Sequence, residues 1–372
     1  MNTGLAEYQD GMMLLAFVFI GIALGLVAVV FSIMLFVTFS RQLCMRRLEY
    51  RRYFREKGVF EGEETELIEE FTNHSFLPMF VVDVETHVSS LIKMKGCQTD
   101  DGLTQCFISR FFVMPFTKIR RVHKASCLKR GYYKLESAKI TFAKVEVYLD
   151  SSAEIYVYPR QSSVDEMKII NSSMQYSAVS KLPLIVDNFS FAGVRKYAYG
   201  DSLSSINYKQ TARQRELMVN DREYMLGRKI MIYLNFQPNE KVHLSAAEFL
   251  NLLEKELSYA SFLLSECVRN GYAYSFRANS KMAGGEPFVR TGFSAGEKNY
   301  EEILCQMAQM TDRYGISAAS MIDEDLMEFL SGTEIFFFTA YMDEALELRM
   351  SELEKTGNVV NIMNLVDDLF GR

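Results

Sequence analysis

RKIMIYLNF (residues 228–236), SAAEFLNLLEKELSYASFLLSECVRNG (245–271) and YAYSFRA (272–278) read in turn as strand, helix and strand. The first is a short apolar run suited to burial on both faces. The second carries apolar residues around more than one stripe and opens on Ser245 with Glu248 three positions on, the spacing of a capping box. It stops near Gly271, a residue type that takes the left-handed conformation at a helix end. The rhythm then repeats. NYEEILCQMAQMTDRYG (299–315) reads as a helix closed by Gly315, TEIFFFTAY (333–341) as a nearly all-apolar strand, DEALELRMSELEKTG (343–357) as a helix closed by Gly357, and NVVNIM (358–363) as a strand. This alternation predicts an α/β domain over 225–372, with a mainly parallel sheet and helices on both faces. Ligands of such sheets sit at the C-terminal ends of the strands.

Working outward, the chain changes character. LPMFVVDVE (77–85), QCFISRFFVMPF (105–116), GYYKLESAKITFAKVEVYLD (131–150) and AEIYVYPR (153–160) combine β-branched and aromatic residues with partial period-two alternation. They predict an all-β sandwich, immunoglobulin- or fibronectin-like, over 61–190. Glu63 to Phe71 also fits a helix, which leaves a mixed α+β module as the alternative.

From Gly11 to Ser40 there is no charged residue. A helix over 12–39 would be roughly 42 Å long, more than the ~30 Å hydrocarbon core and less than two spans require. Glu7 and Asp10 precede the run, and no Lys or Arg does, which argues against a signal peptide. Gly21 and Gly25 form a G-x-x-x-G pair, which lets two helices approach closely. RQLCMRRLEYRRYFREK (41–57) follows, with seven basic residues against two acidic ones. By the positive-inside rule, residues 1–11 lie outside the cell and the body is cytoplasmic. Residues 40–60 form a basic stem whose Arg46, Arg47, Arg51 and Arg52 are expected at the lipid surface.

The net charge of −6 over 372 residues argues against nucleic acid as a partner. Six scattered cysteines do not make a disulfide scaffold, and four histidines leave little for a zinc site. Phosphate-cradling glycine loops, nucleophile elbows and H-E-x-x-H are absent from the sequence. His123 and Cys127 share a strand face but stand roughly 13 Å apart, so they read as a surface histidine and a small buried thiol. Asp323, Glu324 and Asp325 read as a solvated acidic loop. No catalytic residue, metal or cofactor is expected.

The most specific stretch is VRKYAYGDSLSSINYKQTARQRELMVNDRE (194–223). Gly200 permits a turn, and Asp201 can cap a following helix. Arg195, Lys209 and Arg213 place positive charge near that acid, so 191–224 is either a latch between domains or a docking surface for a partner. The pattern Arg195-x-Tyr197-x-x-Gly200-Asp201, with Ile206-Asn207-Tyr208-Lys209 and Ala212-Arg213, resembles the hallmark of the domain-of-unknown-function family fifty-eight, found beside MoxR-type AAA+ ATPases. Tyr208 replaces that family's usual Trp. CLKRGYYKLESAKI (127–140) is similar to its Arg-Gly-x-Tyr strand, and IYVYPR (155–160) to the segment ending its β-domain. The family's usual anchor is a pair of helices, where this chain has room for one.

The resemblance implies that the α/β domain is von Willebrand factor A-like, a Rossmann-type fold. Such a domain usually offers Asp-x-Ser-x-Ser to Mg²⁺ after its first strand. Here that run is Asn235-Phe236-Gln237-Pro238-Asn239, and Thr339-Ala340 takes the place of a later Asp. Neutral amides hold a hard cation weakly. The expected function is therefore a non-catalytic, single-pass membrane adaptor. It would touch membrane lipid and work with a MoxR-type AAA+ ATPase on a client protein. The alternative is a Mg²⁺- or Mn²⁺-dependent adhesion-type domain with a non-standard cation site.

Overall fold

The computed structural model describes residues 3–95, 97–99, 104–142, 145–161, 191–198, 206–222, 228–238 and 245–365. The chain divides into two compact units. The first takes in residues 1–57, 63–128 and 133–155, the second residues 58–62, 129–132 and 156–372.

The first unit opens with α1, Thr3–Arg46. Its stretch Phe19–Arg46, within which an 18-residue window reaches a mean hydropathy of 2.8, is long and apolar enough to cross a membrane. The expected stem over 40–60 does not exist as such. Helix α1 runs on to Arg46, and β1 (Leu48–Phe54) begins two residues later. The reason is packing: Cys44 is buried in the core that follows, Met45 packs against it, and the Arg47 carbonyl accepts from the His74 N–H at 3.0 Å.

Two sheets face each other in the β region. One has the order β1-β3-β8-β5, with β3 Glu64–Asn73, β8 Lys118–Cys127 and β5 Ile92–Met94. The other has the order β2-β10-β9-β4-β7-β6, with β2 Gly58–Phe60, β4 Met79–Ser89, β6 Gln98–Thr99, β7 Thr104–Val113, β9 Gly131–Phe142 and β10 Val145–Tyr158. Inward residues of both fill the core, among them Tyr50, Phe71, Val84, Phe111 and Ile140. Phe71 and Phe111 stack at 5.1 Å between ring centroids. The alternative helix over Glu63–Phe71 is not formed: from Glu64 the chain is strand β3, with side chains burying against the facing sheet.

In the second unit, β11 (Phe191–Lys196) pairs antiparallel with β12 (Met218–Arg222), flanking α2 (Tyr208–Gln214). A five-stranded sheet follows in the order β16-β14-β13-β18-β19, with β13 Lys229–Asn235, β14 Ala273–Ala278, β16 Val289–Arg290, β18 Thr333–Thr339 and β19 Val359–Asn364. The pairs β13–β14, β13–β18 and β18–β19 are parallel, and only β16 runs antiparallel. Alternation along β13 sends Ile230, Ile232 and Leu234 to one face, against α3 (Ala246–Asn270) and α4 (Glu297–Gln309). Met231 and Tyr233 go to the other, against α5 (Ala318–Met327) and α6 (Glu344–Lys355).

The long helix opens on the expected Ser245–Glu248 capping box and ends on Gly271 at φ +68°. The helix expected to reach Gly315 stops earlier. Met310–Tyr314 is strand β17, antiparallel to β15 (Ser280–Met282), because Met310 turns into the core there. Gly315 caps no helix: a side chain there would collide with the Pro287 carbonyl.

Candidate functional site

The C-terminal ends of β13, β14 and β18 meet where an α/β sheet offers its ligand site. Buried amides occupy the place. Asn235 accepts from the Gln237 N–H at 3.1 Å and from Asn279 Nδ2 at 2.9 Å, and donates to Thr339 Oγ1 at 3.0 Å. Asn279 also accepts from the Phe236 N–H at 2.6 Å and donates to the Ile316 carbonyl at 3.2 Å. The Gln237 side-chain oxygen accepts from the N–H of Ala318, at the start of α5, at 3.4 Å. The side-chain oxygens of Asn235 and Gln237 are thus engaged by the chain itself. Among the described residues, no group of three or more His, Cys, Asp or Glu could hold a metal. Asn239 lies outside the described residues.

Beside this network, Tyr233 donates to Asp325 at 2.6 Å, and Arg277 lies 3.2 Å from the same carboxylate. Burial, and then the charge of Asp325, push the Tyr233 phenol far up, so it stays protonated. The acidic residues read as a loop are helical and partnered. Arg349 pairs with Asp323 at 2.7 Å, and Arg290 with Glu324 at 3.4 Å.

Of the 194–223 segment, the described residues 194–198 and 206–222 contribute to strand β11, helix α2 and strand β12. Arg195 lies in β11 opposite Val219, and Tyr197 N–H donates to the Leu217 carbonyl at 2.9 Å. The cap of α2 is Asn207, whose side chain accepts from the Gln210 N–H at 3.0 Å. Gly200 and Asp201 lie outside the described residues. Thr211 ties the helix to β12 by accepting from the Met218 N–H at 3.0 Å. This leaves Tyr208, 75% exposed, together with Lys209 and Arg213 on the solvent side of α2.

Of the four arginines expected at the lipid surface, Arg46 and Arg47 are exposed, and Arg51 is exposed and pairs with Glu49 at 2.7 Å. Arg52 is the exception. Period two along β1 turns it inward to 4% exposure, where it donates to the Ser151 carbonyl at 2.6 Å and to Thr86 at 2.9 Å.

His123 is not a surface side chain either. Its Nε2 lies 2.8 Å from buried Glu69, which also accepts from Ser109 at 2.6 Å and from Tyr50 at 2.6 Å. One ring nitrogen faces both the acid and, at 3.5 Å, the serine, so this is a knot and not a proton relay. The sequence carried no local signal for it, since its members lie on β1, β3, β7 and β8. Burial raises the Glu69 pKa, but the hydrogen bonds from His123, Ser109 and Tyr50 outweigh it and hold the carboxyl below its ordinary range. A depressed folded value contributes stability that is present above the unfolded value and lost as pH falls through the folded one. Glu69→Gln is expected to cost the sandwich roughly 2–3 kcal/mol near pH 7. It should also flatten the acid limb of stability measured by chemical denaturation between pH 7 and pH 3.

No protein-family model matches the chain, and no curated protein matches it. Solved structures match part of it. A CARDB domain from Pyrococcus furiosus is 11% identical and covers 30% of this chain and 91% of its own, with a TM-score of 0.22. A type I cohesin from Pseudobacteroides cellulosolvens is 10% identical and covers 31% and 95%, with a TM-score of 0.20. A non-cellulosomal cohesin from Archaeoglobus fulgidus is 8% identical and covers 33% and 97%, with a TM-score of 0.22.

Proposed function

We propose that the chain is a single-pass membrane protein with a cytoplasmic body that acts as a non-catalytic adaptor. Its second unit is a von Willebrand A-like domain presented to a MoxR-type AAA+ ATPase, which remodels or assembles a client protein. The observation that carries this reading is the outer face of α2. Tyr208, Lys209 and Arg213 stand exposed on a helix whose other side is pinned to β12. An aromatic ring beside two cations suits a protein surface bearing carboxylates. The closed amide network at the strand ends supports a scaffold role, since it aims no nucleophile or base into open space.

Crosslinked pull-down from native membranes tests the reading, with folded Tyr208→Ala and Arg213→Ala variants in parallel. Wild type should recover an AAA+ ATPase and both variants should lose it. Recovery by all three would retain the adaptor and move the docking surface elsewhere. If no sample contains an ATPase, the adaptor reading is wrong.

A further inference from the structure

Two loops of the first unit share one end of the sandwich, 74–78 between β3 and β4 and 114–117 between β7 and β8. Buried Asn73 binds them together. Its N–H donates to the Thr117 carbonyl at 3.0 Å, and its side chain to the carbonyls of Leu77 at 2.8 Å and Met114 at 3.2 Å. The loops are therefore held, yet they and the strand ends beside them present apolar side chains outward. Phe76, Phe80, Val81, Phe112, Met114 and Phe116 are between 49% and 71% exposed. Phe80 and Phe112 pack on each other at 5.5 Å between centroids. Phe116, the most exposed, sits at φ +54°, a conformation bulky residues avoid. An exposed apolar patch on fixed loops marks an interaction surface.

The end of α1 identifies the partner. Ser75 Oγ lies 3.4 Å from Cys44 Sγ, which docks the loop on the last turns of the helix. A cavity of about 530 Å³ opens there, with Val37, Ser40 and Cys44 of α1 facing Leu77, Phe80 and Val81. Val37 lies seven residues before Cys44, roughly 10 Å back along the helix. It belongs to the charge-free run, so Phe80 and Val81 stand at the depth of apolar helix surface and not beyond it. Exposed Arg46 and Arg47 follow just past Cys44, where phosphates would lie. Along α1 the order is apolar, then cationic, which is the order acyl chain, then headgroup.

We propose that the loops 74–81 and 112–117 embed in the headgroup–acyl boundary of the leaflet that α1 leaves, with a phospholipid acyl chain filling the cavity beside Val37. The proposal rests on α1 as a membrane span and is independent of the adaptor role. The sandwich is then a monotopic element as well as the cargo of an anchor.

The chain contains no Trp, so single tryptophans report cleanly. The full-length protein, reconstituted in phosphatidylcholine–phosphatidylglycerol vesicles, would carry Phe80→Trp, Phe116→Trp, Phe39→Trp in the helix, or Leu128→Trp. Leu128 is exposed at the far end of β8, roughly 33 Å from Lys118. With lipids brominated near the headgroup end of the acyl chain, Phe80→Trp and Phe116→Trp should lose most of their emission, as Phe39→Trp does, while Leu128→Trp keeps it. If both loop reporters behave like Leu128→Trp while Phe39→Trp is quenched, the proposal is overturned. If Phe39→Trp is also unquenched, the membrane span itself fails and the proposal falls with it.

Discussion

Replacing Arg130 with alanine is expected to cost the second unit about 3–5 kcal/mol and to lower its Tm by roughly 10 °C. Arg130 lies at the corner between β8 and β9, in the segment 129–132 that belongs to the second unit. Its guanidinium binds both carboxylate oxygens of Glu254 on α3, at 2.9 and 3.0 Å. The remaining nitrogen donates to the Met307 carbonyl at 2.6 Å and to the Met310 carbonyl at 3.0 Å, at the end of α4. One side chain thus closes a carboxylate fork and a helix terminus together while only 8% exposed. Alanine removes the fork from Glu254 and one donor from each of the two carbonyls, that of Met307 keeping the Met310 N–H. Lysine, a point charge on a flexible stem, should recover less than half, because it cannot serve the fork and the carbonyls at once. Hydrogen exchange is the measurement. Amides of 297–309 should lose protection in Arg130→Ala ahead of those in β13. Unchanged protection would mean that the corner is decorative.

Glu256→Gln is expected to stabilise the protein, increasingly so as pH rises. Glu256 is wholly buried on α3, and among the described residues neither carboxylate oxygen has a hydrogen-bond partner. Burial pushes its pKa well above the ordinary carboxylate value. The native chain therefore keeps a proton that the unfolded chain gives up. Stability from this group is full below the unfolded value near 4.3 and falls by about 1.4 kcal/mol per pH unit as pH climbs towards the folded value. Glutamine removes that slope, and leucine should do the same while adding apolar contact. Denaturation midpoints of wild type and Glu256→Gln at pH 5 and pH 8 test this. A gap between the two proteins that does not widen with pH would contradict a neutral buried carboxyl. The slope is opposite in sign to that of Glu69, where three donors hold the charged form in place.

How far the chain could be read in advance follows the range of the interactions. The helix stops at Gly271 and Gly357 and the cap at Ser245 are local chemistry, and the alternation of strand and helix through β13, α3 and β14 is periodicity alone. Met310–Tyr314 misled because M-T-D-R-Y extends a helical spacing. What makes it a strand is β15, some thirty residues back in the chain. Arg52 misled because it sits in a charge run. Its strand turns it inward, towards Thr86 and Ser151. Asp325 looked solvated because Tyr233 and Arg277, which hold it, are 92 and 48 residues away. The strand-end position of Asn235 was legible from its place after an apolar run. That its amide would be consumed by Asn279 and Thr339 was not, since those meet it only once the parallel sheet has formed. Arg130 gave a partial signal as part of an Arg-Gly-x-Tyr pattern, without its partners on α3 and α4.

The join between α1 and β1 has a mechanical meaning. A single residue, Arg47, separates helix from strand, and Cys44 on one side and Tyr50 on the other are locked in the same core. There is no swivel. Any rotation of the helix about its own axis becomes an equal rotation of the sandwich, and any tilt of the helix becomes a tilt of the sandwich. Two such helices meeting at Gly21 and Gly25 would set the bearing between their sandwiches in the plane of the bilayer, so torque applied to either sandwich would be felt at the helix pair.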